Sequence, residues 1–510
     1  MNRIISTAIS IICILSGATA AGVSAAPAVE QWKIFELSFR QKAGQHPFDN
    51  IDSRCTFING CDTVKVSAFY DGNDTYKIRF MPHKPGRWTY RTSGNNPKSN
   101  LRGSFDCLPA SPGNHGPVRV DSLGFAYSDG TAYIPVGTTC YAWTHQPDSL
   151  RRLTLETLRN SCFNKIRMCI FPKSYDWNRN EPILYPFEGE TGNWDFNRLN
   201  PAYFRNIEQC IASLDSLGIE ADLIVYHPYD RWGFSKLDKE TRDRYMQYVI
   251  SRFGAFKNVW WSMANEYDFM EAYDTADWQH HLRFFALNDP YGHLRGIHNG
   301  VKLYDQNDPY VTHVSIQSSD MANAGNLRSQ YRKPVIYDEC RYEGNIPWVW
   351  GTLSAEEMVQ KFWEGFTRGA FVGHGEVILT QPEVGPDRSD EILWWSKGGV
   401  LRGKSHDRIR YLKQILADAP SARLTPVEGI TGWQNYPTLG AGDDWYLIYF
   451  GRDIHCQLLL ELPENKTYRI ELIDTWGMTS TVLDGTFSGH SLITLPQLPY
   501  MAARLTAVPR

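Results

Sequence analysis

The stretch NVWWSMANEYDF, residues 258–269, is an apolar run that ends on an amide beside a carboxyl group, Asn265 and Glu266. A second apolar run, KPVIYDEC at 333–340, ends on Asp338 and Glu339. Paired carboxyl groups suit hydrolysis of a glycosidic bond: one protonates the leaving oxygen, and the other attacks the anomeric carbon or activates water. A separation of roughly 5–5.5 Å gives retention of configuration, and about 6.5–9.5 Å gives inversion. Other apolar runs also end on polar or aromatic residues: Trp143 and His145; Arg167, leading to Tyr175 and Asp176; His227, Tyr229 and Asp230; His298 and Asn299; Gln317; Gln381 and Glu383. Asn265 is suited to a sugar hydroxyl, and Arg167 to holding Glu339 ionised. An apolar setting such as Trp260 and Trp261 would raise the pKa of Glu266, as an acid requires. Glu343, four residues past Glu339, is its rival for the nucleophile's role and is read as a loop residue that binds substrate or supports the site. Trp143, Trp177, Trp232, Trp348, Trp350, Trp394 and Trp395 are candidate sugar platforms, with core packing the plainer account of each. Any one of these polar ends could be a helix cap or a loop hydrogen bonder. A ring of them around one opening requires a fold that brings strand ends together.

That fold is legible between residues 118 and 420, where apolar strand-like runs alternate with helical stretches. A hairpin turning at Asp129 and Gly130 in FAYSDGTAYIPVGTTCYAW comes first, its second arm offering the first barrel strand. NKIRMCIFP, EADLIVYHP, NVWWSMANE, LRGIHNG, VTHVSIQ, KPVIYDEC and GEVILTQ supply seven more. Helical patterns such as FRNIEQCIASLDSLG and KETRDRYMQYVISRFG end at glycine. Eight strand–helix units imply an α/β fold of the (β/α)8 TIM-barrel type, whose chemistry sits at the C-terminal strand ends. A doubly wound sheet would carry a glycine-rich nucleotide turn after its first strand, and the sequence has none. Residues 26–117 and 421–510 show short alternating segments between turn residues. They are read as an N-terminal, immunoglobulin-like β-sandwich and a C-terminal β-sandwich.

Residues 1–25 have the pattern of a secretory signal peptide: Arg3, an apolar run over 4–15, then small residues. The chain is therefore expected to be exported, to the periplasm or the exterior. No later stretch is long and apolar enough for a membrane span. A net charge of -4 gives no footprint for nucleic acid. No CxxC pair, HExxH or phosphate-cradling glycine loop is present, so no metal or cofactor is expected. Cys55 and Cys61 are close enough in sequence to pair, with free thiols the alternative. The sequence leaves the oligomeric state open. Aromatic residues make up 13% of the chain, including 17 Trp and 27 Tyr, and flat apolar rings are what sugar clefts use.

NVWWSMANEYD together with KPVIYDECRYEGN resembles the large clan of retaining barrel glycoside hydrolases, in which Asn-Glu ends strand four and a nucleophilic Glu ends strand seven. The hairpin and DECRYEG are more narrowly similar to apiosidase-like and cellulase-like barrels, which carry flanking β-sandwiches of uncharacterised role. The resemblance implies Glu266 as acid/base, Glu339 as nucleophile and Arg167 as the strand-two arginine, with a carbohydrate substrate. Two departures stand out. Apiosidase-like members can carry Asp in the acid position, where this chain has Glu266. VSIQSS on strand six lacks a His-x-Tyr. The alternative reading is a non-catalytic barrel that binds a glycan or collagen, and transglycosylation through the same intermediate is a third. Residues 172–200, rich in Trp, Tyr, Asn and Glu, point to a walled pocket and terminal attack.

Overall fold

A computed structural model describes residues 12–15, 26–44, 47–48, 53–94, 100–175, 178–380, 395–421 and 423–509. Its centre is an eight-stranded parallel sheet. In chain order the strands are β1 (Gly137–Thr139), β2 (Lys165–Cys169), β3 (Glu220–Tyr226), β4 (Val259–Ala264), β5 (Arg295–Gly296), β6 (Val314–Gln317), β7 (Val335–Glu339) and β8 (Phe371–His374). They pair in the order 5-4-3-2-1-8-7-6. Between β5 and β6 the seam is held by Thr312 N–H to the Arg295 carbonyl (2.9 Å) and by Gln317 N–H to Asn299 Oδ1 (3.1 Å). Asn299, a candidate for the site by its position, thus stitches the barrel.

Helices α1 (Asp148–Arg159), α2 (Pro201–Ser216), α3 (Lys239–Phe253), α4 (Thr275–Asn288), α5 (Ala324–Tyr331), α6 (Ala355–Thr367) and α7 (Ser405–Ala417) surround the sheet. Their starts follow from side-chain capping: Asn200, Asp238, Asp274 and Ser354 each accept a backbone N–H of the first turn. Strand eight departs from the expectation. GEVILTQ does not supply it; Phe371–His374 does, and Glu376–Val377 pairs instead with Glu343–Gly344 above the barrel.

The barrel interior is ionic rather than aliphatic around β2, β3 and β7. Lys165 Nζ lies 2.6 Å from Asp222 and 2.8 Å from Asp338, and Arg167 Nη1 lies 3.3 and 3.2 Å from the same two carboxylates. Ser315 Oγ also donates to Asp338 (2.5 Å). The four side chains are buried, and their charges cancel. The pair of cations holds Asp338 far below the usual carboxylate range against the effect of burial.

Two sheets form the N-terminal region, one containing Phe35–Arg40 and Thr75–Phe80, the other Arg54–Asn59, Gly86–Ser93 and Arg102–Leu108. Their facing side chains stack as Phe35 on Phe105 (4.0 Å between centroids) and Phe57 on Phe80 (4.1 Å). Arg79 of this region pairs with Glu36 and reaches the barrel at Glu208 and the Arg252 carbonyl. The C-terminal region packs a six-stranded against a two-stranded sheet over Tyr446, Ile448, Leu460, Ile470 and Leu505. Of the expected leader only Ile12–Leu15 falls among the described residues, as a strand parallel to Phe35–Arg40. Cys55 and Cys61 are free thiols. Among the described residues no helix is long and apolar enough to cross a membrane.

Candidate active site

Glu266 and Glu339 open into one cavity of about 280 Å³ at the C-terminal ends of the barrel strands, lined also by Tyr141, Lys173, Tyr175, Tyr229, Phe269, Gln317, Tyr342 and Trp350. Glu266 follows β4 with φ of +53°, a left-handed conformation that non-glycine residues adopt only where surroundings enforce it. Here its neighbours are pinned: Asn265 N–H donates to the Tyr226 carbonyl (3.0 Å), and Tyr267 N–H to that of His298 (3.0 Å). Glu339 is the last residue of β7. An irregularity between Ile316 and Gln317 lets Gln317 stand opposite Glu339 while Asp338 turns into the ionic interior.

Each carboxylate is gripped at both oxygens. Glu266 Oε2 accepts from the Tyr229 hydroxyl and from Asn265 Nδ2 (3.1 Å), and Oε1 accepts from Gln317 Nε2 (3.2 Å). Glu339 accepts from the hydroxyls of Tyr141 and Tyr342, the latter at 2.8 Å. Tyr342 owes its place to Gly375, since a Cβ there would stand 1.9 Å from the phenol ring. Burial and the neighbouring carboxylates raise the pKa of all three phenols, so they remain donors at any working pH.

Burial and the Glu266 carboxylate push Glu339 up to about 7, opposed first by the Lys173 ammonium and then by the two tyrosine hydroxyls. Lys173 is almost fully buried, its Nζ 4.3 Å from the Tyr141 ring centroid and 4.1 Å from that of Tyr229. Glu339 therefore exchanges its proton near neutral pH.

Several expected roles change. Arg167 does not bond Glu339; its charge is spent on Asp222 and Asp338. It also donates to Asn265 Oδ1 (3.4 Å), which orients that amide with its NH2 toward Glu266. Asn265 is thus a partner of Glu266. Trp260 and Trp261 give Glu266 no apolar enclosure, because their indole N–H groups point to Glu220 (2.9 Å) and Asp289 (3.0 Å). Trp143 is wholly buried, with Nε1 on Met168 Sδ, and His145 is buried against Tyr203. His227 lies under the cavity with Nε2 3.2 Å from the Phe171 carbonyl, and His298 is enclosed in the barrel. Burial drives both histidines toward neutrality.

Glu343 faces away from substrate, accepting from Lys404 N–H, Ser405 N–H and Ser405 Oγ at the start of α7. Glu376 accepts from Arg402 and Gly403 N–H beside it, so these two carboxylates hold the chain entering α7, while His374, grouped with them within 4.8 Å, has its Nδ1 3.2 Å from Thr138 Oγ1. Trp232 and Trp395 are buried, and Trp348 lies on the surface outside the cavity. Gln381, Glu383, Asp176, Trp177 and Trp394 lie outside the described residues. Tyr175, Tyr229 and Gln317, expected from the strand ends, and Trp350, expected as a sugar platform, line the cavity. Tyr141, Tyr342, Lys173 and Phe269 are not among the expected residues, although Tyr141 lies two residues past β1 and Tyr342 lies beside Glu343.

Residues 123–420 match the model of the family described as apiosidase-like, catalytic domain. Residues 28–95 and 433–506 match two domains of unknown function, DUF5060 and DUF5605. No curated protein matches the chain. A crystal structure from Bacteroides vulgatus ATCC 8482, described as that of a candidate glycoside hydrolase, is 39% identical over 94% of this chain and 100% of its own, with a TM-score of 0.88. A glycoside hydrolase family 5 structure from the same organism superimposes with a TM-score of 0.62 at 15% identity, covering 78% of this chain and 94% of its own. This second likeness is one of fold.

Proposed function

Because the chain belongs to the apiosidase-like family, we propose that it is an exported glycoside hydrolase that cleaves an O-glycosidic bond of a poly- or oligosaccharide by retaining double displacement. The observation that carries this is the one cavity into which both Glu266 and Glu339 open, each carboxylate held by side chains that donate to it. Glu266 is the acid/base. It gives its proton to the leaving oxygen as the Glu339 carboxylate attacks the anomeric carbon, and the resulting glycosyl ester is released when Glu266 takes a proton from water. Hydrolysis thus returns both carboxyl groups to their starting state.

An acid/base must be comfortable in two states, and Gln317 provides for both. Its NH2 faces Glu266 Oε1, while its own Oε1 is buried without a partner. Turning the amide half a revolution presents that oxygen to a protonated Glu266. Glu339, to which two phenol hydroxyls donate, suits the nucleophile. Phe269 and Trp350 offer apolar faces at the cavity rim for sugar rings.

The reading is tested by a glycan screen followed by proton NMR of the first product formed. Retained configuration supports it, and inverted configuration sinks it. A second test uses pH. The nucleophile attacks only when ionised, so the rate rises as pH rises through about 7, where Glu339 loses its proton. Lys173 favours the ionised form, so Lys173→Met raises the pKa of Glu339 and moves this acid limb upward, by about 1 pH unit. A limb that stays put or moves down in kcat/KM profiles would remove Lys173 from this role.

A further inference from the structure

We propose that a second cavity, at the opposite end of the barrel from Glu266 and Glu339, binds a small amphipathic carboxylate. This cavity, of about 470 Å³, lies where the hairpin of Gly124–Tyr127 and Ala132–Tyr133 meets α6, the start of β8 and the Thr425–Pro426 strand. Its size is that of a pocket for a small organic ligand. The lining is mainly apolar, with Phe125, Phe366, Phe371, Leu416 and Leu424 contributing, and it includes one inward cation, Arg328.

Among the described residues no carboxylate pairs with Arg328. Its Nη1 donates to the carbonyls of Leu123 (3.4 Å) and Gly369, while among the described residues Nε and Nη2 bond no protein atom and remain accessible. The acid nearest to hand in the lining, Asp121, is engaged by Arg423 at 3.1 Å. Burial alone acts on the guanidinium, making its charged form less favourable. A buried cation in this state is stabilised by an anion that reaches it. The Nε and Nη2 edge is a planar two-donor fork, which matches the two oxygens of a carboxylate. A phosphate dianion would bring two charges to one guanidinium at a mouth that already holds Asp121. The aromatic and leucine walls take the apolar body. The site stands apart from the hydrolytic reading, because it uses none of that site's residues.

The test titrates octanoate and 1-octanol into the full-length protein by calorimetry. Octanoate binds saturably at one site, and 1-octanol binds about tenfold more weakly or worse, because it lacks the charge-assisted pair. Arg328→Gln weakens octanoate to the level of the alcohol. Ala132→Phe, which fills the cavity and leaves the guanidinium intact, abolishes binding of both while hydrolysis is unchanged. Absence of saturable octanoate binding would overturn the proposal. So would equal affinity for acid and alcohol, or octanoate binding that survives Ala132→Phe. Where Arg328→Gln does not fold, the acid–alcohol comparison and Ala132→Phe decide.

Discussion

Glu339→Gln lowers kcat by about a thousandfold or more with the protein still folded, because the amide keeps the shape and loses the nucleophile. One tyrosine hydroxyl still donates to the amide oxygen and the other accepts from its NH2, so binding is largely preserved and the loss appears in kcat. Glu266→Gln behaves differently. On a natural substrate it is comparably inactive, since the leaving oxygen departs unprotonated. On an aryl glycoside with an acidic phenol the first step no longer needs an acid, and a rapid burst of phenol is followed by slow turnover. Burst kinetics on the two variants check the assignment. A burst in Glu339→Gln with none in Glu266→Gln would exchange the two roles.

Arg167→Met destabilises the protein by about 3–5 kcal/mol, the cost of leaving a buried charge without its partner. Lys165 would then face both Asp222 and Asp338 alone. The size of the effect follows from the burial of all four groups, which removes the solvent screening that makes surface pairs weak. Arg167→Met with Asp222→Asn restores the balance of charge, leaving Lys165 with Asp338, and recovers most of the lost stability. It does not recover kcat, because Asn265 has still lost the donor that orients it toward Glu266. Urea unfolding and kcat on the single and double variants separate the two effects. Equal recovery of both would mean that Arg167 acts through stability alone.

The barrel was readable because its strands are continuous apolar runs between helical segments, a pattern that buried parallel strands impose. Strand eight was misplaced for the same reason. Phe371–His374 contains Gly373 and a buried histidine and looks poor, whereas GEVILTQ looks strand-like, and its Glu376–Val377 pairs with Glu343–Gly344 outside the barrel. Gly373 is there because a Cβ would stand 2.6 Å from the Asp338 carbonyl oxygen. The two glutamates were legible because each ends an apolar run. What they bond was not. Sequence records that Arg167 is a cation but not that Asp222 and Asp338 face it across the interior. Nor does it record depth: β1 is only three residues long, so Tyr141 reaches the cavity and Trp143, two residues on, is packed beneath. Lys173 was hidden by distance, four residues past the end of β2 in a loop whose course no periodicity fixes.

The central claim is that Glu339 is the nucleophile and carries the sugar between two steps. It is tested most directly by incubating the protein with the 2-deoxy-2-fluoro glycosyl fluoride of the sugar identified by screening, then mapping the adduct by peptide mass spectrometry. The account predicts one covalent glycosyl group on Glu339. An adduct on Glu266, or turnover with inversion and no adduct, would contradict it.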